Sequence, residues 1–520
     1  MNIAMKDTTK YPSLEPRALA GAGRSIRVLP ATWSERTALL ILAVTVLRWI
    51  VAMTTGLSDT EAYYAQWARV PSLSYYDHPP LVAWTTWLVR HLSSAPWAVR
   101  LGPVLYAVVF DALVYRLASR LFSPRAGFFA VATLTAIPVF FFTGFLLNPE
   151  GLLAPLWALF LLFLLDLRDH DQPWRPLAIG AVVGVAFLAK YTAILAVPVA
   201  LLYVAGSPDT RRWLRRPSFY GGGLAAVAIA SPVIAWNALH DWPSVHLHLS
   251  ERMGHSAGET LASALWRVGS GQLVNFQPLV LPALLGILGY AAWRSSRDDR
   301  YRFLLTASLP VLAFLLVMMV RAGDSEPHWT MMGYLPLVVG AGGLLDESSG
   351  ALRRFTRAAF VAALAVSAGA LGLYAVHLRS PVLAKALPSY NPDADPINET
   401  IGWDRVSAAV RAHTAMLGPG TVVAGGHNVL CGHLQAALDD SPAVYCASPR
   451  RTEFDFVGRR TPPPGAPVVF VDSDRYPEDT AVALPLLECA HAEDVVIERS
   501  GLRLARYRIR ECRPRKGNES

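Results

Sequence analysis

Apolar blocks about 20 residues long recur through most of this 520-residue chain. A helix of about 20 apolar residues crosses the roughly 30 Å hydrocarbon core of a bilayer. The composition agrees, with 53% hydrophobic and 17% charged residues, because soluble chains carry about 25% charged residues. A disordered chain is excluded, since such chains are poor in apolar residues, and a cytosolic enzyme is disfavoured. The sequence therefore predicts an all-α polytopic membrane domain.

Eleven of these blocks are predicted to span the membrane. The fifth and sixth are short and nearly continuous around Lys190. No small-residue cleavage site of a signal peptide follows the first block. The predicted spans cover residues 37–57, 97–119, 126–147, 151–167, 174–189, 191–206, 218–238, 277–293, 303–320, 329–345 and 357–377.

Basic residues gather between alternate blocks. The predicted inner loops hold most of the arginines and the outer loops hold few, as the positive-inside rule requires. This pattern places residues 1–36 in the cytoplasm as a polar tail and predicts two long outer loops, 58–96 and 239–276. The net charge of +8 is not gathered on one soluble face, so the expected partners are bilayer lipids and not nucleic acid.

The composition changes near residue 378. Residues 37–378 are predicted to form the transmembrane domain. Residues 379–520 are predicted to form a small α/β domain, which the span count places outside the cytoplasm. A helix is expected at 429–438, and short apolar runs predict strands at 421–424, 443–446, 467–472 and 493–498.

All four cysteines lie in this C-terminal domain. An oxidising compartment permits disulfides there. Cys489 and Cys512 flank a predicted hairpin, so they are the preferred pair. A zinc ribbon is disfavoured because no Cys-x-x-Cys spacing is present.

The first predicted outer loop carries three carboxylates and a histidine at the end of a span: Asp59, Glu61, Asp77 and His78. Ionisable groups beside a membrane are costly and tend to be functional. The alternative is a solvated loop with ordinary surface acids, and composition alone does not decide between the two.

Two further candidates interrupt apolar sequence. Glu150 follows an Asn-Pro pair and either starts a helix favourably or faces the acids of the first loop. Lys190 either snorkels to the outer interface or binds an anion such as a lipid phosphate. Both interpretations stay open for each residue.

The second predicted outer loop contains His246 and His248, which share a face only if the segment is extended. With Asp77 or His78 they could form a metal site, since imidazole and carboxylate suit zinc or manganese; ordinary surface histidines are the alternative. Glu326 and His328 add an acid and an imidazole at the outer end of the tenth predicted span. All candidates share one side of the membrane, as an active site at the outer interface needs.

Residues 60–64 (Thr-Glu-Ala-Tyr-Tyr), 76–81 (Tyr-Asp-His-Pro-Pro-Leu) and 187–191 (Phe-Leu-Ala-Lys-Tyr) resemble motifs of the GT-C superfamily of polytopic glycosyltransferases. The similarity covers about residues 37–350 and points to the branch with protein O-mannosyltransferases and lipid A aminoarabinose transferases. One position departs from that branch: Thr60 stands where its first loop usually has an aspartate.

The resemblance implies a polyprenyl-phosphate–sugar donor and an inverting displacement at the anomeric carbon. It implies Asp59, Glu61 or Glu150 as the base. It further implies an envelope glycolipid acceptor, with lipid A favoured, and a multi-pass protein of the bacterial inner (plasma) membrane with an extracytoplasmic active site. Two sets of ligands follow from the same resemblance: Lys190, Arg252 and Tyr63 for the donor phosphate, and Asp77, His246 and His248 for a divalent metal (zinc, manganese or magnesium).

Three alternatives stay open. The acceptor could be a protein, as for the O-mannosyltransferases. The chain could be a lipid or solute transporter or flippase, although such proteins bind near mid-membrane and often carry internal repeats. It could also be a scaffold whose outer domain binds a partner. The transferase interpretation requires Asp59, Glu61, Glu150 and Lys190 to converge on one pocket at the outer rim of the bilayer.

Overall fold

The computed structural model describes residues 32–93, 95–251, 259–478, 483–485 and 487–514. The part up to residue 379 is helical. Its α-helices are α1 (Trp33–Thr54), α2 (Asp59–Trp67), α3 (Leu81–Arg90), α4 (Pro96–Leu121), α5 (Pro124–Thr135), α6 (Pro138–Thr143), α7 (Pro149–Asp169), α8 (Trp174–Ala189), α9 (Ala196–Gly206), α10 (Pro208–Arg211), α11 (Pro217–Leu239), α12 (Pro243–His246), α13 (Leu261–Phe276), α14 (Val280–Arg294), α15 (Asp299–Arg321), α16 (Met331–Glu347) and α17 (Gly350–Arg379).

Short irregular helices join several of these segments. A π-helical turn, Leu247–Glu251, follows α12. The 3-10 turns are Tyr191–Leu195, Arg212–Arg215 and Pro327–Thr330.

Six helices of the described residues are long and apolar enough to cross a membrane, namely α1, α4, α7, α11, α15 and α17. The number rises to eight if two bent pairs, Tyr191–Gly206 with Pro208–Arg215 and Leu261–Phe276 with Val280–Arg294, each count as one span. All eleven predicted blocks are helical, but the count of eleven spans is not confirmed. The block at 126–147 breaks before Pro138, and α8 and α16 have only 16 and 17 residues.

Helix α7 lies at the centre of the bundle and is buried along most of its length. Helices α8 and α11 pack against each other most closely through glycines. A Cβ atom on Gly180 would lie 1.8 Å from the carbonyl oxygen of Gly222. Small residues permit such contacts, which drive helix packing where lipid removes the hydrophobic effect.

The C-terminal part begins with α18 (Val382–Ala386) and two 3-10 turns, Pro392–Ala394 and Asn398–Thr400, and then forms one mixed five-stranded sheet with three further helices. The strand order is β2-β1-β3-β5-β4, with β1 parallel to β2 and β3 and the β5 pairings antiparallel. The bounds are α19 (Trp403–Leu417), β1 (Val422–Gly425), α20 (Asn428–Leu438), β2 (Val444–Cys446), α21 (Glu453–Phe456), β3 (Val468–Ser473), β4 (Leu487–Arg499) and β5 (Leu502–Pro514). The predicted strands and helix are confirmed in place.

The predicted disulfide is confirmed: Cys489 of β4 and Cys512 of β5 face each other in the ladder and are bonded. Cys431 and Cys446 are buried free thiols.

This C-terminal domain packs directly on α2, the first helix of the predicted first outer loop. A Cβ atom on Gly432 of α20 would lie 2.8 Å from the carbonyl oxygen of Ala62, so the two backbones touch. Arg69 strengthens the joint by donating to Asp439 at 2.8 Å. The first loop therefore has one face toward the membrane helices and the other toward the sheet domain.

Candidate active site

Glu61 is a structural residue in this fold. Ser58 caps α2 and forms a capping box with Glu61. The Glu61 carboxylate accepts two hydrogen bonds from Arg100, at 2.8 and 2.6 Å, and one from the Leu147 main-chain N–H at 3.1 Å. Because both oxygens are occupied and the side chain is fully buried, Glu61 is poorly placed to take a proton from a substrate, contrary to the sequence prediction.

Arg100 completes this clamp. Its guanidinium also donates to the main-chain oxygens of Ala52, Thr55 and Gly56 at 2.6 to 2.9 Å. A charge inside a membrane protein needs partners of this kind. Sequence reasoning missed Arg100, although an arginine just inside the second predicted span was a usable signal.

Asp59 faces the C-terminal domain. One carboxylate oxygen accepts from His433 Nε2 at 2.9 Å and the other accepts from the Tyr476 hydroxyl. Arg475 lies 3.5 Å away, and the Asp59 main-chain N–H donates to Glu399 at 2.9 Å. The structure therefore places Asp59 in the joint between α2 and the sheet domain, which no local sequence signal indicated.

The same partners set the proton affinity of Asp59. Burial opposes its ionisation, but the hydrogen bonds from His433, Glu399 and Tyr476 outweigh burial and hold the pKa of Asp59 below its usual range. Burial and the neighbouring Asp59 raise the pKa of Glu399 to about 9. A carboxylate with a lowered pKa is a weak general base, so Asp59 fits an anchoring role better than the predicted catalytic one.

The predicted convergence of four residues on one pocket is only partly present: Glu150 and Lys190 come together, whereas Asp59 and Glu61 are held by other partners. Glu150 lies in the first turn of α7, behind the N-cap Asn148, and Lys190 is the extended residue that ends α8. Their side chains form an ion pair, and His328 Nε2 lies 2.9 Å from the same Glu150 oxygen. Glu150 is 4% exposed and Lys190 is 5% exposed, which excludes a lysine that merely snorkels to water.

Aromatic and imidazole rings continue from Lys190 toward the first loop. The Tyr191 ring lies 5.1 Å from that of His248, which lies 6.0 Å from that of His78. The Tyr63 hydroxyl donates to the Asp77 carboxylate at 2.5 Å and accepts from the Glu453 main-chain N–H at 3.2 Å. Tyr63 thus joins the first loop to the sheet domain.

The predicted metal ligands do not form a metal site. His248 Nε2 lies 2.9 Å from the main-chain oxygen of Asp77, and His246 is exposed. Within the described ranges, no three or more His, Cys, Asp or Glu side chains gather in a way that could hold a metal ion. Glu326 is also exposed, and Arg252 lies outside the described residues.

An apolar groove of about 280 Å³ runs between α7, α8, α9 and α11. Ile179 and Val183 of α8 line it together with Leu164 of α7 and Phe219 of α11. Val183 is seven residues before Lys190, which is about 10 Å along a helix at 1.5 Å per residue. The groove therefore leads along α8 toward the buried ion pair.

Comparison with known proteins agrees with this architecture. Residues 77–236 match the family described as dolichyl-phosphate-mannose-protein mannosyltransferase. The chain is 26% identical over 311 residues to the lipid A galacturonosyltransferase RgtD of Rhizobium johnstonii. That alignment covers 58% of this chain and 64% of the relative, so the chain spans just under two thirds of the curated protein it matches.

Two crystal structures of ArnT from Cupriavidus metallidurans share the fold. The apo structure aligns with a TM-score of 0.63 at 16% identity and covers 92% of this chain and 98% of ArnT. The structure bound to undecaprenyl phosphate aligns with a TM-score of 0.60 at 18% identity, over 91% and 97% of the two chains. Residues 77–236 therefore resemble the mannosyltransferase family, and nearly the whole chain shares the fold of ArnT.

Proposed function

We propose that this chain is an inverting glycosyltransferase that moves a sugar from a polyprenyl phosphate to lipid A or a closely related envelope glycolipid. Two named relatives support the proposal: one acts on lipid A, and the other was crystallised with undecaprenyl phosphate. A lipid A acceptor is favoured over a protein because the lipid A enzyme aligns over 311 residues, well beyond the 77–236 segment matched by the protein mannosyltransferase family.

The buried pair of Glu150 and Lys190, with the half-buried His328 beside it, carries this proposal. Burying a charge is expensive unless it is paired and serves a purpose. Lys190 ends a helix whose side lines an apolar groove, so a cation and an apolar surface that can hold part of a lipid chain lie on one element. That combination suits an amphiphile with an anionic head and a long hydrocarbon tail.

The donor's phosphate would bind Lys190, with His328 beside it, while its prenyl chain occupies the groove. In the free protein, Glu150 neutralises Lys190. Arrival of the phosphate supplies a competing anion and releases Glu150 from the ion pair. An ammonium fixed in a dry site stabilises the charge that builds on the leaving phosphate more strongly than water does.

In the reaction, an acceptor hydroxyl oxygen attacks the anomeric carbon while the bond from that carbon to the phosphate oxygen breaks. The attack comes from the face opposite the phosphate, so the configuration inverts. Glu150 takes the hydroxyl proton, and polyprenyl phosphate leaves with the bonding electrons. Asp59 and Glu61 are held by hydrogen bonds within the protein, whereas Glu150 lies beside the donor site and is released when the phosphate arrives, so we assign the base role to it. No step is assigned to a metal.

We further propose an eleven-span topology with the site at the outer face of the bacterial inner membrane and residues 379–520 outside the cytoplasm. Three features support this orientation. Arginines are concentrated in the opposite loops, the sheet domain carries a disulfide, and that domain packs on the same loop that borders the candidate site.

The test is transfer by the purified full-length chain in detergent. Synthetic undecaprenyl phosphates carrying uronic acid, mannose or aminoarabinose serve as donors, with lipid A or a peptide as acceptor. We expect one donor to add a single sugar to lipid A, detected by mass spectrometry, with inverted configuration by NMR. Absence of transfer from every donor, combined with movement of labelled lipid across vesicles, would support the flippase alternative instead.

A further inference from the structure

A polar cavity of about 290 Å³ lies between α2 and the C-terminal domain, apart from the Lys190 site. Small-molecule sites measure about 300 to 1,000 Å³, so the cavity could hold one monosaccharide ring. Its walls come from α2, from Tyr75 in the first loop, from the end of α20 and from residues 453–459. Both halves of the protein are therefore needed to form it.

Four residues of this wall each have a buried polar atom that lacks a hydrogen-bond partner in the described structure: Gln66 Nε2, Trp67 Nε1, Gln435 Oε1 and Arg459 Nη1. Gln66, Trp67 and Gln435 are 7%, 1% and 6% exposed. Native proteins pair the large majority of buried polar groups, so four unpaired ones around one cavity indicate a missing polar ligand.

The chemistry of these groups suits a sugar. Two amides, an indole N–H and a guanidinium offer donors and an acceptor at fixed positions, as hydroxyl groups require. The Trp67 ring stacks on Tyr75 with centroids 4.9 Å apart and planes 8° from parallel. This pair gives the cavity a rigid aromatic wall with a polar edge.

The charge of the wall favours an anionic ring. Arg459 donates a hydrogen bond from Nη2 to the Asp440 carboxylate at 3.3 Å. Its Nη1 has no hydrogen-bond partner in the described structure and is available to a ligand acceptor. Arg69 is paired with Asp439. Burial raises the pKa of Glu453 well above its usual value, which favours the neutral carboxyl and weakens its repulsion of an anion.

Rings connect the cavity wall to the donor site. The Trp67 ring lies 6.4 Å from that of His78, which lies 6.0 Å from His248, and His248 lies 5.1 Å from Tyr191 next to Lys190. The rings of His78 and His248 thus lie between the cavity wall and the residue next to Lys190. A glycolipid with several sugar or phosphate groups can reach both places at once.

We propose that this cavity binds a carboxylate- or phosphate-bearing sugar ring of the acceptor, remote from the hydroxyl that reacts. The proposal rests on the glycosyltransferase function proposed above. Binding energy from such a remote group positions the reacting hydroxyl. Arg459 and Gln66 are specificity residues in this account and do not touch the reacting atoms.

Gln66→Met gives the sharpest test. Replacing an unpaired buried amide by an apolar side chain of similar shape is neutral or stabilising for the fold. We expect unchanged or higher thermal stability, together with a rise of about tenfold in the KM for lipid A. The KM for the donor should not change, because the donor lies elsewhere. If Gln66 served the fold alone, Gln66→Met would change the thermal stability and leave the acceptor KM unchanged.

Arg459→Gln is the second variant, and Arg460→Gln is its matched control. Arg460 is the adjacent arginine, is largely exposed and pairs with Asp455 at 2.8 Å. Loss of a charged hydrogen bond weakens binding by about tenfold to a hundredfold. We expect that rise in acceptor KM for Arg459→Gln, partial recovery in Arg459→Lys, and no change for Arg460→Gln.

Direct binding keeps the test independent of transfer. Saturation-transfer NMR on the detergent-solubilised full chain would compare free galacturonic acid and galactose, and ³¹P line broadening would report the binding of inorganic phosphate. Binding of galacturonic acid or of phosphate, lost in Arg459→Gln, supports the proposal and identifies which anionic group is read. Equal signals from galactose, or signals unchanged in both variants, would overturn it. A chain that binds these probes but transfers no sugar refutes the proposed function and leaves the cavity's ligand class intact.

Discussion

Variants of Lys190 and Glu150 can distinguish a role of this ion pair in sugar transfer from a role in stabilising the fold. Breaking a buried ion pair by removing one partner costs about 3–5 kcal/mol in unfolding free energy, because the other charge is left buried alone. Both residues here are at most 5% exposed, so Lys190→Met and Glu150→Gln should each lose that amount. The double variant leaves no orphan charge and should regain most of it. We expect all three variants to lose transfer by about a hundredfold or more.

The assay is equilibrium unfolding in mixed detergent micelles, paired with transfer to lipid A per folded molecule. The control is the surface pair of Arg216 and Asp171, which are 36% and 54% exposed and should couple by at most about 1 kcal/mol. Recovery of transfer in the Lys190→Met/Glu150→Gln double variant would refute the reasoning. Lys190 would then serve only to neutralise Glu150 and would not bind the donor's phosphate.

Three further predictions concern the rest of the fold. Glu61→Gln should lower the unfolding free energy by about 3–5 kcal/mol, because it strands the buried charge of Arg100, while transfer per folded molecule stays near wild type; normal stability without transfer would restore a catalytic role. Between pH 4.5 and about 9, the unfolded chain loses the Glu399 proton and the folded chain keeps it, so the free energy of unfolding should fall as pH rises. Glu399→Gln should flatten the dependence of melting temperature on pH. An unchanged slope in that variant would contradict a raised pKa of Glu399. Replacing Cys489 and Cys512, which are 23 positions apart, by serine should cost about 3 kcal/mol of unfolding free energy, and peptide mapping that shows two free thiols in the wild type would remove the basis of that prediction.

The positions of the helices and strands followed from local sequence, because each depends on local apolar length and period. The strands near 421, 443 and 467 and the helix near 429 fell where their patterns placed them. The number of membrane spans was less well predicted from the sequence. Proline breaks such as the one at Pro138, and helices shorter than a bilayer, are settled by packing against neighbours and not by hydropathy.

The residues of the candidate site were likewise only partly predictable from the sequence. Glu150 and Lys190 were predictable because a charge inside apolar sequence needs a partner. The roles of Asp59 and Glu61 were not, because their partners His433 and Arg100 lie 374 and 39 residues away in the sequence. Only tertiary structure shows that these two acids are already saturated by hydrogen bonds.

The central claim is that Lys190 holds the phosphate of a polyprenyl donor. A cryo-electron microscopy structure of the full chain with undecaprenyl phosphate tests it most directly. We predict a phosphate oxygen about 2.7–3.2 Å from Lys190 Nζ, with the prenyl chain in the groove beside α8. A phosphate bound elsewhere, with the ion pair of Lys190 and Glu150 undisturbed, would contradict it.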